Sequence, residues 1–273
     1  LVDLHSYHFT LNGRPATTLM GSRGCPHACG FCCKNHTRVR LRSAPSIIQE
    51  IQVLEKHGFR AIAFPEDIFI LNRTRTEMVA AYLKQQGIIW RCLVRADLVV
   101  KYGIGFLNML RDCGCVGVGI GIESGSDTIL KTIGKGETVA TMREAVTMLK
   151  YANIYTKGFF IVGLPGENET TLIETDEFLR KAKLDDIDCK IFQPYPGSPI
   201  YDHRGEYDIN WEDIPLENTF YKGRPEEYYG TISTSRLTTQ QIVDAWKYFE
   251  ETYKDWTSTI YGEMVQGECN VAS

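Results

Sequence analysis

Short apolar runs alternate with amphipathic stretches along this chain about six times. Thr17–Gly21, Phe59–Phe64, Trp90–Val94, Val116–Ile122, Thr156–Val162 and Asp188–Phe192 read as strands, because each is a brief apolar run bounded by turn residues. The stretches between them carry apolar residues at helical spacing. The spacing predicts helices over 43–58, 73–86, 105–112, 139–152, 169–183 and 239–256. In the first of these, Ser46 is the expected N-cap with Gln49 three residues on. Ile47, Ile48, Ile51 and Leu54 make its stripe, and Gly58 ends it. Met78, Ala81 and Tyr82 are the expected inner face of the second. Met142, Ala145, Val146 and Leu149 are in phase in the fourth, and Ile242, Ala245, Trp246 and Phe249 in the last, with Thr238 as its cap.

Strands that alternate with helices imply parallel neighbours, since a parallel pair needs a crossover. The sheet is then either open and doubly wound or curled into a barrel. In both cases ligands gather beyond the C-terminal strand ends. The glycines of VGVGIGI weaken the fourth strand but admit a ligand or another backbone at close range. Tyr201–Gly230 has many aromatics and little periodicity, and reads as an irregular segment crossing the barrel or packing on its edge.

Composition narrows the function classes. The chain has 34 acidic and 30 basic side chains and a formal net charge of −4, so there is no electrostatic footprint for nucleic acid. Hydrophobic residues at 43% and charged residues at 23% are ordinary globular usage. No apolar run reaches the roughly 18 residues a membrane helix needs, and the first residues lack the pattern of a signal peptide. A cytoplasmic location is expected, with no membrane span.

The chemistry is concentrated in one loop, SRGCPHACGFCCK, directly after the first strand. Cys25, Cys29 and Cys32 at C-x3-C-x2-C can converge on one metal centre, and thiolates favour zinc, copper(I) or iron–sulfur clusters. Structural zinc wants four closed ligands, which here would require Cys33 or His36. An all-thiolate cubane also takes four ligands, so three cysteines leave one iron open to a substrate or cofactor. Cys92, Cys113, Cys115 and Cys189 sit in or beside apolar runs and read as buried structural thiols, and Cys33 as a bystander.

C-x3-C-x2-C with Phe31 before the third cysteine resembles the signature of radical S-adenosylmethionine (radical SAM) enzymes. FPEDIF at 64–69, GIESGS at 121–126, FIVGLPGE at 160–167 and FQPYPGSP at 192–199 resemble later segments of the same family. PATTLMGSRGCPHACGFC, GLPGE and PYPGSP are similar to the catalytic half of its cobalamin-binding members. The resemblance implies an α/β fold, a partial (β/α)6 barrel over 15–200. It is preceded by an extension over 1–14 and followed by an irregular segment and helix over 201–256 and a tail over 257–273.

It also implies an enzyme. A 4Fe–4S cluster on Cys25, Cys29 and Cys32 reductively cleaves S-adenosylmethionine, and the resulting 5′-deoxyadenosyl radical takes hydrogen from an organic small molecule. Phe31 would lie by the adenine. Pro65, Glu66 and Asp67 would contact the methionyl amino group mainly through backbone, although PED replaces the family's glycine-glycine-glutamate. Arg95 would face the cofactor carboxylate or else pair with Asp97. Glu123 and Ser124 would reach the ribose or methionyl group, Gly163, Leu164 and Pro165 the adenine, and Gln193 and Tyr195 the site's last edge. The expected partners are the small-molecule substrate and a low-potential electron donor such as flavodoxin or ferredoxin. Too few residues precede the loop for a cobalamin domain. Cobalamin, and with it methyl transfer to an unactivated carbon, would therefore come through a domain or partner outside this chain. The alternative without catalysis is a metal-stabilised binding protein.

Overall fold

The computed structural model describes residues 9–33, 38–211 and 232–255. In chain order it begins with a hairpin of β1 (Thr10–Leu11) and β2 (Arg14–Thr18), then a second small hairpin of β3 (Ser22–Arg23) and β4 (Arg40–Leu41). Helix α1 (Ala44–Lys56) leads into β5 (Ala61–Phe64) and α2 (Arg73–Gln85), then β6 (Ile89–Val94) and α3 (Ala96–Asp112). β7 (Cys115–Glu123) is followed by α4 (Asp127–Thr132) and α5 (Val139–Tyr151), and β8 (Tyr155–Val162) by α6 (Glu169–Ala182). β9 (Asp186–Ile191) leads to the short α7 (Pro199–Asp202). β10 (Asn210–Trp211) pairs with β11 (Ile232–Ser233), and α8 (Thr239–Tyr253) follows.

The main sheet runs β1-β2-β5-β6-β7-β8-β9, parallel from β2 onward, and curls into a half-barrel whose edges are β1 and β9. Consecutive parallel strands lie side by side, so every C-terminal strand end from β2 to β9 opens on one rim. Alternation along the strands divides the two faces. Phe64, Trp90, Cys92, Val94, Val118, Ile120 and Ile122 are buried in the large core shared with the helices. Phe64 stacks on Phe69 with centroids 4.2 Å apart, Trp90 packs edge-on to Phe64 at 6.0 Å, and the Trp90 indole donates to the Cys113 carbonyl at 2.8 Å. Gly117, Gly119 and Gly121 fall on the inner face of β7. There a Cβ on Gly119 would come within 2.5 Å of Phe159 and 2.7 Å of Leu93.

An uncovered β9 edge would leave ladder groups exposed, and α8 covers it. The Cys189 N–H donates to Glu250 at 2.7 Å, and the Cys189 carbonyl accepts from the Trp246 indole at 2.9 Å. Ile242, Val243, Trp246 and Phe249 face inward, as Thr238 starts the helix with a capping box shared with Gln241.

Several boundaries differ from the sequence reading. The first parallel strand is Arg14–Thr18, not Thr17–Gly21, because the chain turns at Leu19 after one last bond to Ala63. Ser43, rather than Ser46, caps α1 by accepting from the Ser46 N–H. The helix expected over 105–112 is only the second half of α3, which Gly103 interrupts at φ +77°. In α2 the inner face is Arg75, Thr76, Val79, Ala80 and Leu83, and Met78 and Ala81 are exposed. Arg75 dictates that rotation, since its guanidinium has to reach the carbonyls of Gly21 and Phe69. Of the irregular segment expected over 201–230, residues 201–211 form the end of α7, a 3-10 turn and β10; the rest lies outside the described residues, as do the tail, His36 and Cys269.

Replacing Glu250 by Leu strands the buried Cys189 N–H. We expect a loss of about 1–3 kcal/mol in urea unfolding, with most of it restored by Glu250→Gln, which keeps the acceptor. Equal stability of all three proteins would remove α8 from this role.

Candidate active site

The cysteine loop leaves β2 through Gly21, and that exit is clamped. The buried Glu66 carboxylate accepts from the Gly21 N–H and, at 2.8 Å, from the Ser22 N–H. Arg75 donates to the Gly21 carbonyl at 2.8 Å and to Glu66 at 3.3 Å. A Cβ on Gly21 would stand 2.9 Å from the end of Ile47 and 3.2 Å from Glu66, so a side chain there would press on the clamp. Burial pushes the Glu66 carboxyl above its ordinary range, against Arg75 and the two amides. Its hydrogen bonds thus serve the loop's own backbone, while Pro65 and Asp67 on either side are exposed at the rim.

Two more attachments fix the loop further on. The Gly30 N–H donates to the Ile133 carbonyl at 2.7 Å, and the Gly30 carbonyl accepts from the Ile200 N–H at 3.0 Å. A side chain on Gly30 would press on both neighbours at 3.3 Å. The Cys33 thiol donates to the Pro196 carbonyl at 3.0 Å, which ties the loop to the segment after β9. Between these points Cys25 and Cys32 are half-buried and Cys29 is buried. Phe31 packs on the main core. Among the described residues no three His, Cys, Asp or Glu side chains form a group suited to one metal ion. A cubane gives each thiolate its own iron, so it needs three thiols along one loop rather than at one point.

A buried ionic network lies beside Cys29. Glu123, at the end of β7 with φ +66°, accepts from the Lys135 ammonium at 2.8 Å. Lys135 is also 3.6 Å from Glu137, which lies 3.3 Å from Arg95. Arg95 further contacts Asp97 at 3.3 Å and the Lys135 carbonyl at 3.1 Å. Gly121 makes room for the pair, because a Cβ there would sit 2.5 Å from Glu123 and 2.9 Å from Lys135. Burial lowers the Lys135 pKa, but Glu123 and Glu137 outweigh it and hold the ammonium above its ordinary value. Burial raises the Cys29 thiol, and Lys135 and Arg95 pull it back toward the thiolate.

Of the residues expected at the site, Cys29, Arg95 and Glu123 are therefore brought together. Lys135 and Glu137 were not expected. Their signal in the sequence is GKGE, charged residues between glycines, which looks like an ordinary solvated turn. Ser124 is buried against Thr175 at 3.3 Å and accepts from the Ser126 N–H, so its hydroxyl braces the strand end. Gln193 and Tyr195 are half-buried, and the Tyr195 carbonyl accepts from the Ser198 N–H and hydroxyl at 3.0 and 2.8 Å. The turn of Gly163, Leu164 and Pro165 closes on Glu167, whose buried carboxyl accepts from the Gly163 N–H at 2.5 Å. Burial pushes the Glu167 pKa up to about 8 despite the amides of Gly163 and Leu164. Cys92, Cys113, Cys115 and Cys189 are buried, in keeping with structural thiols.

The structure is thus a half-barrel of parallel strands with three thiols on one anchored rim loop, beside a buried ionic network. Residues 19–179 match the Radical SAM superfamily, and the chain belongs to that superfamily. It is 32% identical over 201 residues to an uncharacterized methyltransferase of Pyrococcus horikoshii, covering 71% of this chain and 43% of that protein. It is 30% identical over 188 residues to the anaerobic magnesium-protoporphyrin IX monomethyl ester cyclase of Cereibacter sphaeroides, covering 66% of this chain and 30% of that one. The fold matches the radical SAM methyltransferase TsrM from Kitasatospora setae, solved with cobalamin and a [4Fe-4S] cluster. The TM-score is 0.64 at 15% identity, over 74% of this chain and 41% of that one. OxsB, a cobalamin-dependent S-adenosylmethionine radical enzyme solved with aqua-cobalamin and S-adenosylmethionine, matches at TM-score 0.55 and 25% identity, over 70% and 30% of the two chains. The chain spans less than half the length of these relatives.

Two expectations follow. Glu167 has a folded pKa of about 8 against 4.5 ordinarily, so its contribution to stability is full below pH 4.5 and is lost as pH rises to about 8. The stability difference between the parent and Glu167→Gln should therefore shift by up to ~1.4 kcal/mol per pH unit across that window. A difference independent of pH in urea unfolding would show the carboxyl is not buried in its neutral form. Replacing Lys135 by Met leaves Glu123 and Glu137 short of a buried cation and should destabilise by roughly 3 kcal/mol, with Lys135→Arg closer to the parent. Unfolding midpoints of the two variants decide it.

Proposed function

We propose that this chain is the catalytic barrel of an enzyme that cleaves S-adenosylmethionine reductively and uses the 5′-deoxyadenosyl radical to abstract hydrogen from an organic small molecule. The observation that carries the reading is the three-cysteine loop, fastened at Gly21, Gly30 and Cys33 and set against Lys135 and Arg95. The donor set fits a 4Fe–4S cluster: three thiols on one loop, one of them buried beside two cations. Cys25, Cys29 and Cys32 would hold it. When bound, the cluster supplies one electron to the sulfonium of S-adenosylmethionine.

The chain's own residues do the positioning. Lys135 and Arg95 oppose the upward shift that burial imposes on the Cys29 thiol, which stays raised overall. Glu167, neutral below about pH 8, shapes the Gly163–Pro165 turn without adding a buried anion. The inner-face glycines of β7 make room for Phe159 and Leu93 at one level and for the Glu123–Lys135 pair at the next. We place the barrel over 15–200, with 201–256 as its C-terminal segment, in a reducing cytoplasmic setting that keeps the thiols free. The reductant is a low-potential one-electron donor such as flavodoxin or ferredoxin.

A second reading is methyl transfer to an unactivated carbon, with cobalamin supplied by a domain or partner outside this chain. The names of the Pyrococcus relative and of TsrM, and the cobalamin in TsrM and OxsB, favour it. Anaerobic reconstitution with iron and sulfide, followed by S-adenosylmethionine and dithionite, tests the shared step. We expect 5′-deoxyadenosine by mass spectrometry from the parent and none from Cys25→Ala, Cys29→Ala or Cys32→Ala. Cleavage retained in all three variants would overturn the site assignment, and methylated product with added cobalamin would favour the second reading.

A further inference from the structure

We propose that Arg23, Arg38 and Arg40, on the small hairpin that brackets the cysteine loop, form the docking surface for an acidic electron-donor protein. This rests on the reading that the loop carries a reducible cluster. Arg23 and Arg40 are register partners across β3 and β4, so their side chains emerge on the same face. Like charges placed directly opposite in a strand pair destabilise it. Both arginines and Arg38 are exposed, and among the described residues none of the three has an ion-pair or hydrogen-bonded partner.

Arg42, two residues further on, shows the contrast. Its guanidinium reaches Glu50 at 2.5 Å, the Met20 carbonyl at 3.0 Å and Ser46 at 3.0–3.1 Å. That arginine holds the hairpin to α1; the other three make no such side-chain contact among the described residues. Three cations with no ion-pair partner among the described residues also run against the overall charge of −4.

Their place in the fold names the occupant. β3 ends two residues before Cys25, at most about 7 Å along the chain. A molecule seated on Arg23 and Arg40 is thus against the loop that must receive an electron. Met20 is 43% exposed beside the hairpin and offers an apolar contact suited to a protein partner, whereas Leu41 alternates to the other face of β4. An acidic partner would relieve the opposed charges and be steered toward the cluster loop by them. The same cations could meet RNA, and the test separates the two.

The full chain is titrated with an acidic flavodoxin at low and high salt, before and after cluster reconstitution, and flavodoxin-driven cluster reduction is followed separately. We expect binding that weakens with salt. Arg23→Glu/Arg40→Glu should lower affinity and the flavodoxin-driven rate by about tenfold or more, while dithionite-driven 5′-deoxyadenosine formation stays at the parent level. The single Arg23→Glu change turns a repulsive pair into an attractive one, so it should raise the melting temperature while still weakening flavodoxin binding, which excludes misfolding as the cause. Equal flavodoxin affinity in parent and double variant would overturn the proposal. So would tighter binding of a tRNA probe that is lost in the same variant. Failure of dithionite to give 5′-deoxyadenosine from the parent would count against the catalytic reading instead, and flavodoxin binding would still decide the surface.

Discussion

Buried carboxylates that accept backbone N–H groups hold this structure together where its strands stop. A parallel half-barrel ends every strand on one rim and leaves two edges, and both situations expose amides that the sheet cannot satisfy. Glu66 takes those of Gly21 and Ser22, Glu137 takes that of Asp97, Glu167 takes that of Gly163, and Glu250 takes that of Cys189. Glu66, Glu137 and Glu250 each link two distant segments by a side chain rather than by a ladder, and Glu167 closes its own turn. The loops that line the rim are consequently fixed without regular secondary structure, and a loop fixed in that way can present cysteines at a constant place.

The electrostatics follow from the same arrangement. Carboxylates removed from water must be paired or neutralised. Glu66 has Arg75, and Glu123 and Glu137 share Lys135 and Arg95. Glu167 has only amides for neighbours and takes up a proton instead. The rim therefore contains a paired ionic network near Cys29 and a neutral acid under the Gly163–Pro165 turn. A cluster-bearing loop is well served by both, since neither adds an uncompensated negative charge to its surroundings.

Much of the fold was legible in the sequence. Strand and helix alternation gave the parallel sheet, and the stripes of α5 and α8 matched the buried residues Met142, Ala145, Val146 and Leu149, and Ile242, Trp246 and Phe249. What periodicity could not show was set by tertiary contacts. The rotation of α2 is chosen by Arg75, a polar residue on its inner face. The start of α3 is hidden by Gly103 in a left-handed conformation, and the short β3–β4 hairpin has no apolar pattern at all. At the site, the three cysteines and the strand-end segments were visible because their spacing is chemical. Glu66 and Ser124 stood where a ligand contact was expected, yet Glu66 bonds to Gly21, Ser22 and Arg75, and Ser124 to Thr175. Lys135 and Glu137 were invisible because a charged pair in a turn resembles solvated surface until the fold buries it.

The glycine at 119 has one more implication. The space its side chain would fill is occupied by Phe159 from the next strand and Leu93 from the previous one. The bore of the half-barrel at that level is thus a joint property of three positions on three strands. Among related chains these three should change in concert: an alanine or larger residue at 119 requires a smaller partner at 93 or 159. Divergence in the size of molecule admitted would then be recorded as correlated exchanges across strands, not as isolated substitutions at any one of them.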